Sequence, residues 1–324
     1  MRLAALFLLT LASAAFLRLP AQIKQPTPVI LSTDAGNEVD DQWVIFYLLA
    51  DPAFDVRGIL SAHAPSMPYP AAHWSLGVIR DEVEHHMGLT IHPPLVEGSN
   101  LPLQNTTTPQ PSAAAHFLVE QSRGFTSQNR LTVLTIGAAT DTASALMLDP
   151  TLADRIRIVA MGFNNLQPDG AQEYNALNDP HAWQVILKSN VPVVIGTGDV
   201  CRRDLGLTYD QAQKLLADHG PIAAWLWDDF RVWYYTRVKP ARSNNFTGKH
   251  PIWDIITAAY IKGLATAESA PRPTLTDGMT FAPGDKGATV QSITHVDAAM
   301  LWQEFFADMD HYSATHALPV YQPR

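Results

Sequence analysis

The stretch Pro28–Asp41 reads Pro-Val-Ile-Leu-Ser-Thr-Asp-Ala-Gly-Asn-Glu-Val-Asp-Asp. Its first half is apolar or β-prone, so it predicts a buried strand that ends at the first acid, Asp34. After a flexible Ala-Gly-Asn turn come three more acids, Glu38, Asp40 and Asp41. A helical pattern follows the last of them. This succession of strand, acidic turn and helix indicates the carboxyl end of a strand, where ligands bind in α/β sheets.

The four carboxylates beside this strand are costly unless a cation accompanies them. Like charges repel one another, and burial disfavours each charged form. Ca²⁺ and Mg²⁺ are hard cations that bind carboxylate oxygens, so the turn is a candidate metal site. The alternative is a solvated acidic turn in which Asp40 and Asp41 favour the N-terminus of the following helix.

Length, composition and charge limit the class of protein. The chain has 324 residues, 47% hydrophobic and 16% charged, which suits one large α/β domain or two smaller ones. The net charge of -9 and the absence of a basic run argue against a nucleic-acid groove and favour a small-molecule ligand or a metal. A single cysteine, Cys201, excludes an internal disulfide framework.

The N-terminus has the pattern of a targeting segment. Arg2 is followed by a nearly continuous apolar run over residues 3–17, with small residues beyond it. We interpret residues 1–22 as a secretory signal peptide and residues 23–324 as a secreted or periplasmic domain without stable membrane association. An uncleaved anchor is the alternative, although the run is short for a spanning helix, which needs about 20 residues.

Further along the chain, strand patterns alternate with helical patterns. The predicted strands after the first are residues 56–63, 131–136, 156–161 and 191–195, and helices are predicted between them, including 71–87 and 180–188. This alternation indicates βαβ units, so we expect an α/β fold with a mostly parallel sheet and flanking helices in a single domain. Ligands would bind beyond the carboxyl ends of the strands. The side chains predicted at or just after those ends are Asp34, His63, Thr140, Met161 and Asp199.

Several motifs, taken in order, resemble those of one family. After the acidic turn come Ile136–Asp141, Met161-Gly162, Glu173–Pro180, Trp253–Tyr260 and Gly287–Val290. Together they resemble the segments of the nucleoside hydrolases, the inosine-uridine-preferring family and its relatives. The resemblance covers Pro28 to Phe306, nearly all of the chain that follows the predicted signal peptide.

The resemblance implies a nucleoside-hydrolase-like domain that binds one Ca²⁺ and cleaves the N-glycosidic bond of ribonucleosides. The Ca²⁺ ligands that it implies are Asp34, Asp41, Asp254 and the main-chain carbonyl of Thr140. Asp34 would be the general base that takes a proton from a metal-activated water. Direct attack by water implies inversion at the anomeric carbon. Asp254 has the alternative role of a helix cap.

The same resemblance implies which residues hold the sugar. Asp40, Glu173 and Asn175 would bind ribose hydroxyls, and Met161 would lie beneath the ring. The alternatives are a surface acid for Glu173 and a turn residue for Asn175. The family's frequent dimers and tetramers imply a homo-oligomer, and export implies nucleoside salvage outside the cytoplasm.

Three positions depart from the family pattern. Five residues separate Asp34 from Asp40, where the family usually has three, so Glu38 becomes a candidate substitute ligand. Ser32 stands where many members carry another aspartate. Trp253 stands where the inosine-uridine members place the histidine that protonates the leaving base.

The Trp253-Asp254 pair resembles the purine-preferring branch instead. There an indole stacks on the purine and favours its protonated form, because a π face attracts a cation. We therefore expect Trp253 to act in catalysis and Trp74 to form a second aromatic wall, with helix packing as the alternative for Trp74. His63 and His250 are candidate proton donors, with structural roles as the alternative.

Two other functions remain open at this point. One is hydrolysis of another ribosyl compound with the same ribose and metal floor. The other is a non-catalytic, metal-dependent ribose-binding protein, because a fold alone does not fix a function.

Overall fold

The strand that precedes the acidic turn lies in the middle of the sheet. The computed structural model describes residues 25–239 and 248–321, so the predicted signal peptide lies outside the described residues. Val29, Ile30 and Leu31 are fully buried. They are buried because the strand has a parallel neighbour on each side and helices cover both faces of the sheet.

The central sheet has eight strands, and four short strands form two separate pairs. In chain order, the strands are β1 (Thr27–Thr33), β2 (Phe54–Ser61), β3 (Leu95–Val96), β4 (Leu131–Thr135), β5 (Ile156–Met161), β6 (Val193–Gly196), β7 (Gly206–Thr208), β8 (Lys249–Pro251), β9 (Ala265–Pro271), β10 (Thr274–Leu275), β11 (Phe281–Ala282) and β12 (Thr289–Val296). The order across the central sheet is β3-β2-β1-β4-β5-β6-β12-β9. Every pair in it is parallel except β12 with β9.

Helices connect the parallel strands and cover both faces of the sheet. They are α1 (Asp40–Ala50), α2 (Ala71–Arg80), α3 (Ala113–Ser122), α4 (Thr140–Leu148), α5 (Leu152–Arg155), α6 (Tyr174–Asn178), α7 (Pro180–Lys188), α8 (Gly198–Asp204), α9 (Tyr209–Leu216), α10 (Pro221–Trp233), α11 (Ile255–Lys262) and α12 (Ala298–Thr315). The π-helical segments Asp81–His86 and Tyr234–Val238 continue α2 and α10. The predicted α/β class with a mostly parallel sheet and flanking helices is therefore confirmed.

Two apolar cores form, one on each face of the sheet. Helix α1 is buried almost all round, and its Trp43 packs on Trp302 and Phe305 of α12. Because a helix that is apolar on every side has no solvated face, its position behind the acidic turn is fixed by packing. Within residues 25–239 and 248–321, no helix combines the length and the apolar character that a membrane crossing requires.

The parallel register brings the ends of neighbouring strands to one edge. Thr33 of β1 is opposite Ser61 of β2, and Ser32 is opposite Thr135 of β4. The residues that follow β1, β4, β5 and β6 therefore meet above the middle of the sheet, where such folds bind ligands.

Candidate active site

A cavity opens at the carboxyl ends of β1, β4, β5 and β6. Its volume is about 190 Å³, and it is partly open to solvent, so a small ligand can enter it. The residues that line it are Asp34, Asn37, Glu38, Asp40, Asp41, Ile136, Met161, Asn164, Gln172, Glu173, Tyr174, Asn175, Gly198, Arg202, Trp253 and Asp254. Most of the predicted site residues therefore converge on one place.

Asp34 sits where β1 ends, against the main chain that follows β4. The turn after it closes with a hydrogen bond from the Asn37 N–H to the Asp34 carbonyl, 3.0 Å long, and Gly36 takes a φ of +92°. Asp34 is only 2% exposed. Its Oδ2 is buried and has no hydrogen-bond partner among the described residues. Asp34 Oδ2 can therefore accept a hydrogen bond from a ligand or bind a cation inside the cavity.

Three other carboxyl groups form a cluster beside it. Asp40 and Asp41 begin α1, Asp254 precedes α11, and one ligand oxygen from each lies within 4.8 Å of the others. The Asp254 N–H donates to Asp40 Oδ2 over 3.3 Å, and the Thr33 hydroxyl donates to Asp41 Oδ1. Asp254 occupies the N-cap position, but its side chain makes no capping hydrogen bond. Its carboxylate is therefore directed to the cluster and does not serve the helix.

Burial and mutual repulsion raise the pKa of each of these acids. Burial, followed by the charges of Asp41 and Asp40, raises the pKa of Asp34 well above its ordinary value. Burial raises the pKa of Asp40 to about 6, and burial with the Asp40 charge raises that of Asp41 to about 8. The pKa of Asp254 is raised well above its ordinary value by burial and the neighbouring acids. A bound cation would reverse these penalties.

The donor set fits a hard cation. It consists of buried carboxylate oxygens, one of which, Asp34 Oδ2, accepts no hydrogen bond from the described residues. The cluster that the structure brings within ligand distance is Asp40, Asp41 and Asp254. The predicted set contained Asp34 in place of Asp40, and Asp34 borders the same cavity. All-oxygen sites with several carboxylates suit Ca²⁺ and Mg²⁺.

Glu38 lies in the part of the turn that is longer than the family pattern. Its side chain is 30% exposed, but its Oε2 is buried and lies 3.6 Å from His250 Nε2. Burial, then the charges of Asp40 and Asp41, raises the pKa of Glu38 to about 8. Glu38 thus adds a fifth acid at the cavity.

The predicted sugar-binding residues also line the cavity. Glu173 is the N-cap of α6 and accepts hydrogen bonds from the N–H groups of Ala176, at 3.2 Å, and Phe163, at 3.3 Å. Burial raises the pKa of Glu173 to about 7, so Glu173 is not an ordinary surface acid. Asn175 is buried and donates from Nδ2 to the Ile136 carbonyl at 3.0 Å.

Five predicted residues do not line the cavity: Thr140, His63, Trp74, His250 and Asp199. The Thr140 hydroxyl donates to Asp179 Oδ2 at 2.6 Å and lies 2.9 Å from His63 Nε2, and neither Thr140 nor His63 lines the cavity. Ile136, four residues earlier, lines it instead. Trp74 is 51% exposed on α2 and is absent from the cavity lining, so the structure does not support a second wall at that position.

Other lining residues were not predicted as site residues. Asn37 and Tyr174 share a hydrogen bond of 3.1 Å at the rim, and Ser66 lies 2.8 Å from the Tyr174 hydroxyl. Asn164 and Gln172 also line the cavity. Arg202 was missed because it lies inside a helix, away from every motif. Tyr174, between Glu173 and Asn175 in the same motif, could have been found from that position.

Gly137 allows Asp34 to approach the β4 end. A Cβ at this position would lie 2.8 Å from both Asp34 N and Asp34 Oδ1, closer than real Cβ atoms approach other atoms. We expect Gly137→Ala to weaken binding of a hard cation, measured with Ca²⁺, by about 10- to 100-fold, as changes to residues that orient metal ligands do. The unfolding free energy should fall by about 1–3 kcal/mol. Isothermal titration calorimetry and denaturant unfolding measure the two effects.

Gly77→Ala is the matched control, because a Cβ on Gly77 in α2 would meet nothing within 4 Å. Ca²⁺ affinity equal to wild type in the Gly137 variant would show that Asp34 does not depend on this close approach.

Comparison with known sequences supports the same interpretation of the motifs. The family described as inosine-uridine preferring nucleoside hydrolase matches residues 29–303. The pyrimidine-specific ribonucleoside hydrolase RihA of Escherichia coli O1:K1 is 29% identical over 205 residues, which cover 54% of this chain and 61% of RihA. RihA of Klebsiella pneumoniae is 27% identical with the same coverage. The chain thus matches less than two thirds of the length of these relatives.

Solved structures share the fold over nearly the whole chain. The purine-preferring ribonucleoside hydrolase from Gardnerella vaginalis has a TM-score of 0.69 and 20% identity, with 90% of this chain and 100% of that chain covered. The inosine-uridine preferring nucleoside hydrolase from Bacillus anthracis has a TM-score of 0.66 and 18% identity, with 89% and 99% covered. The chain therefore belongs to the inosine-uridine preferring nucleoside hydrolase family.

Proposed function

We propose that the protein hydrolyses the N-glycosidic bond of ribonucleosides to ribose and free base, with Ca²⁺ at the acidic cluster. The observation that carries this proposal is the convergence of Asp40, Asp41 and Asp254 with the buried Asp34 in one cavity. Family membership supports the same activity. Glu173 lines the cavity as well and adds a partner for sugar hydroxyls.

Asp34 serves as the general base. Its Oδ2 accepts no hydrogen bond from the described residues, so a lone pair is available for the proton of an attacking water. A positioned carboxylate of this kind contributes about 10²- to 10⁴-fold to the rate. Ca²⁺, when bound, would supply charge that lowers the pKa of water and neutralises the cluster.

Asp41 and Asp254 would hold the ion together with Asp34, which borders the same cavity, and Asp40 lies within ligand distance of Asp41 and Asp254. The main-chain oxygen predicted at Thr140 is better assigned to Ile136, which lines the cavity. The Ile136 carbonyl accepts one hydrogen bond from Asn175, and a carbonyl oxygen has a second lone pair.

The ribose hydroxyls would be bound by Asp40, Glu173 and Asn175. Asn175 is held in place by its bond to Ile136. Met161 would form the floor beneath the sugar, since it ends β5 at the cavity and its Sδ lies 3.7 Å from Cys201 Sγ in the core. Hydroxyl-rich ribose thus meets polar groups above and an apolar surface below.

Trp253 lines the cavity and supports stacking on the base, the basis for a purine preference. Because stacking on an aromatic side chain contributes about 1–3 kcal/mol per base, we expect Trp253→Ala to reduce kcat/KM for inosine by roughly 5- to 150-fold. Initial rates of ribose release from inosine and uridine measure the effect.

Trp74→Ala is the control, since Trp74 is exposed and outside the cavity. Unchanged cleavage of inosine by the Trp253 variant would remove Trp253 from the mechanism. A larger loss with uridine than with inosine would favour the pyrimidine preference named in RihA over the purine preference.

A panel of nucleosides and other ribosyl compounds, incubated with Ca²⁺ and assayed for reducing sugar, tests the activity itself. Cleavage restricted to a non-nucleoside ribosyl compound would select that alternative, and tight binding without turnover would select the ribose-binding alternative. Export through the signal peptide at residues 1–22 and a homo-oligomeric state are part of the proposal. N-terminal sequencing and light scattering of the mature protein test them.

A further inference from the structure

Arg202 places a positive charge at the wall of an acidic cavity. Among the described lining residues it carries the only cationic side chain, whereas six of the lining residues are acids. Its Nη2 donates to Asp199 Oδ1 at 2.6 Å and to Asn164 Oδ1 at 3.0 Å. Its Nε and Nη1 make no hydrogen bond within the described residues. The guanidinium is therefore held through Nη2, and its Nε and Nη1 can still donate hydrogen bonds to a ligand.

The guanidinium also lies over the ring of Trp253, with its carbon 5.6 Å from the ring centroid. Trp253 and Tyr174 are the aromatic residues in the described lining, and the Tyr174 hydroxyl is engaged at the rim by Asn37. A planar base in the cavity would therefore stack on the ring of Trp253 and lie next to the Arg202 guanidinium. The acids suit the neutral, hydroxyl-rich sugar and repel negative charge.

We propose that Arg202 recognises the leaving base and stabilises the negative charge that develops on it, so that the base departs as an anion. The substrates favoured would be ribosides of bases with carbonyl or ring-nitrogen acceptors near the glycosidic nitrogen. This inference rests on the proposed hydrolysis. It keeps Trp253 as the stacking surface but replaces the protonated leaving base, which stacking alone would favour, by a base that departs as an anion beside Arg202.

The bonds and charges balance without a protein acid. The water oxygen bonds to the anomeric carbon while its proton passes to Asp34. The C–N bond breaks, and its electron pair goes to the base nitrogen and spreads to the acceptors facing Arg202. A guanidinium stays protonated in proteins, so Arg202 donates hydrogen bonds and transfers no proton. The released anion takes its proton from solvent.

The test compares leaving groups in Arg202→Met. With uridine or inosine, kcat/KM should fall by about 10- to 100-fold, because Arg202 is half exposed and paired with Asp199, so that solvent screens part of its interaction with the developing anion. With p-nitrophenyl β-D-ribofuranoside, whose phenolate leaves readily as an anion, the rate should be nearly unchanged. Arg203→Met is the matched control, because Arg203 is the next residue of α8, pairs with Asp204 and does not line the cavity.

An equal loss with both leaving groups would overturn the proposal and make Arg202 a positioning residue that acts through Asn164. A loss confined to 5′-phosphorylated substrates would overturn it as well and place Arg202 at the other end of the sugar. Calorimetry with the free base adds a readout that needs no turnover. Wild type should bind the base more tightly above its pKa than below it, and Arg202→Met should lose this preference.

The binding measurement also separates the two proposals. A wild-type protein that cleaves no riboside but prefers the anionic base would contradict the proposed hydrolysis and support the recognition role. A wild-type protein that cleaves nucleosides but shows no preference for the anion would contradict the role of Arg202 alone.

Discussion

Replacing Asp34 by asparagine is expected to reduce kcat for ribonucleoside hydrolysis by about 10²- to 10⁴-fold. Asparagine keeps the size of the side chain but cannot accept the proton of the attacking water. The surroundings of Asp34 should be preserved, because the turn after it closes through main-chain atoms of Asn37 and Asp34. Ribose release at saturating Ca²⁺ measures kcat separately from any change in ion affinity.

Asp55→Asn is the matched control, since Asp55 is a carboxylate outside the cavity that pairs with Arg57. It should cleave nucleosides at the wild-type rate. Should the Asp34 variant keep most of its activity at saturating Ca²⁺, another group must be the base, and Glu38 would be the next residue to replace.

The second large effect is the increase in the free energy of unfolding when Ca²⁺ binds. Ca²⁺ present at 100 times its Kd is expected to stabilise the fold by about 2.7 kcal/mol, which raises the Tm by several degrees. Asp41→Asn and Asp254→Asn should lose this shift, because each removes one carboxylate of the cluster. Thermal unfolding with Ca²⁺ or with a chelator measures it.

This shift should also depend on pH. In the metal-free protein the pKa of Asp41 is about 8 and that of Asp40 about 6, both above the ordinary value of 3.8. The folded metal-free protein therefore binds more protons than the unfolded chain, and its stability falls as pH rises from about 4 to about 8. Ca²⁺ replaces those protons, so the Tm gain from Ca²⁺ should grow over the same interval.

Asp141→Asn is the control for a buried aspartate. Asp141 is fully buried but accepts hydrogen bonds from Ser99 and Ser112 away from the cavity. Its variant should keep the Ca²⁺-dependent shift even if its overall stability is lower. A Tm gain that is the same at pH 5 and pH 8 would contradict the linkage between protons and the ion.

The sequence was sufficient to predict the α/β class and, within two residues, the carboxyl ends of β1, β2, β4, β5 and β6, because strand and helix patterns alternate along the chain. The end of β5 at Met161 and the span of α7, Pro180–Lys188, match the predicted limits. In parallel sheets those ends meet at one edge. The strand pattern predicted Asp34 and Met161 at that edge, and both line the cavity, but His63, Thr140 and Asp199 from the same prediction do not line it.

Side-chain direction could not be read from the same patterns. Thr140 was also predicted to offer its main-chain carbonyl, but Thr140 already belongs to α4, whereas Ile136, which directly follows β4, lines the cavity. Trp74 is an aromatic residue after a strand, which suggests a wall of the site, but α2 directs it to solvent. Such outcomes depend on which face of a helix packs on the sheet, and a single motif does not determine that.

Arg202 shows a second limit. Its importance comes from contacts with residues far away in the chain, Asn164 and Trp253, and not from a local spacing. Glu38 was noticed only as a consequence of the longer turn. Its proximity to His250, 3.6 Å, requires the fold to bring the two segments together.

The most direct test of the central claim is product analysis after incubation of the mature protein with a ribonucleoside and Ca²⁺. The arrangement of Asp34, Asp41 and Asp254 predicts equal amounts of ribose and free base, released only when Ca²⁺ is present and lost in Asp34→Asn. Tight binding of the nucleoside with no release of base, or release that persists in the chelated protein, would contradict it.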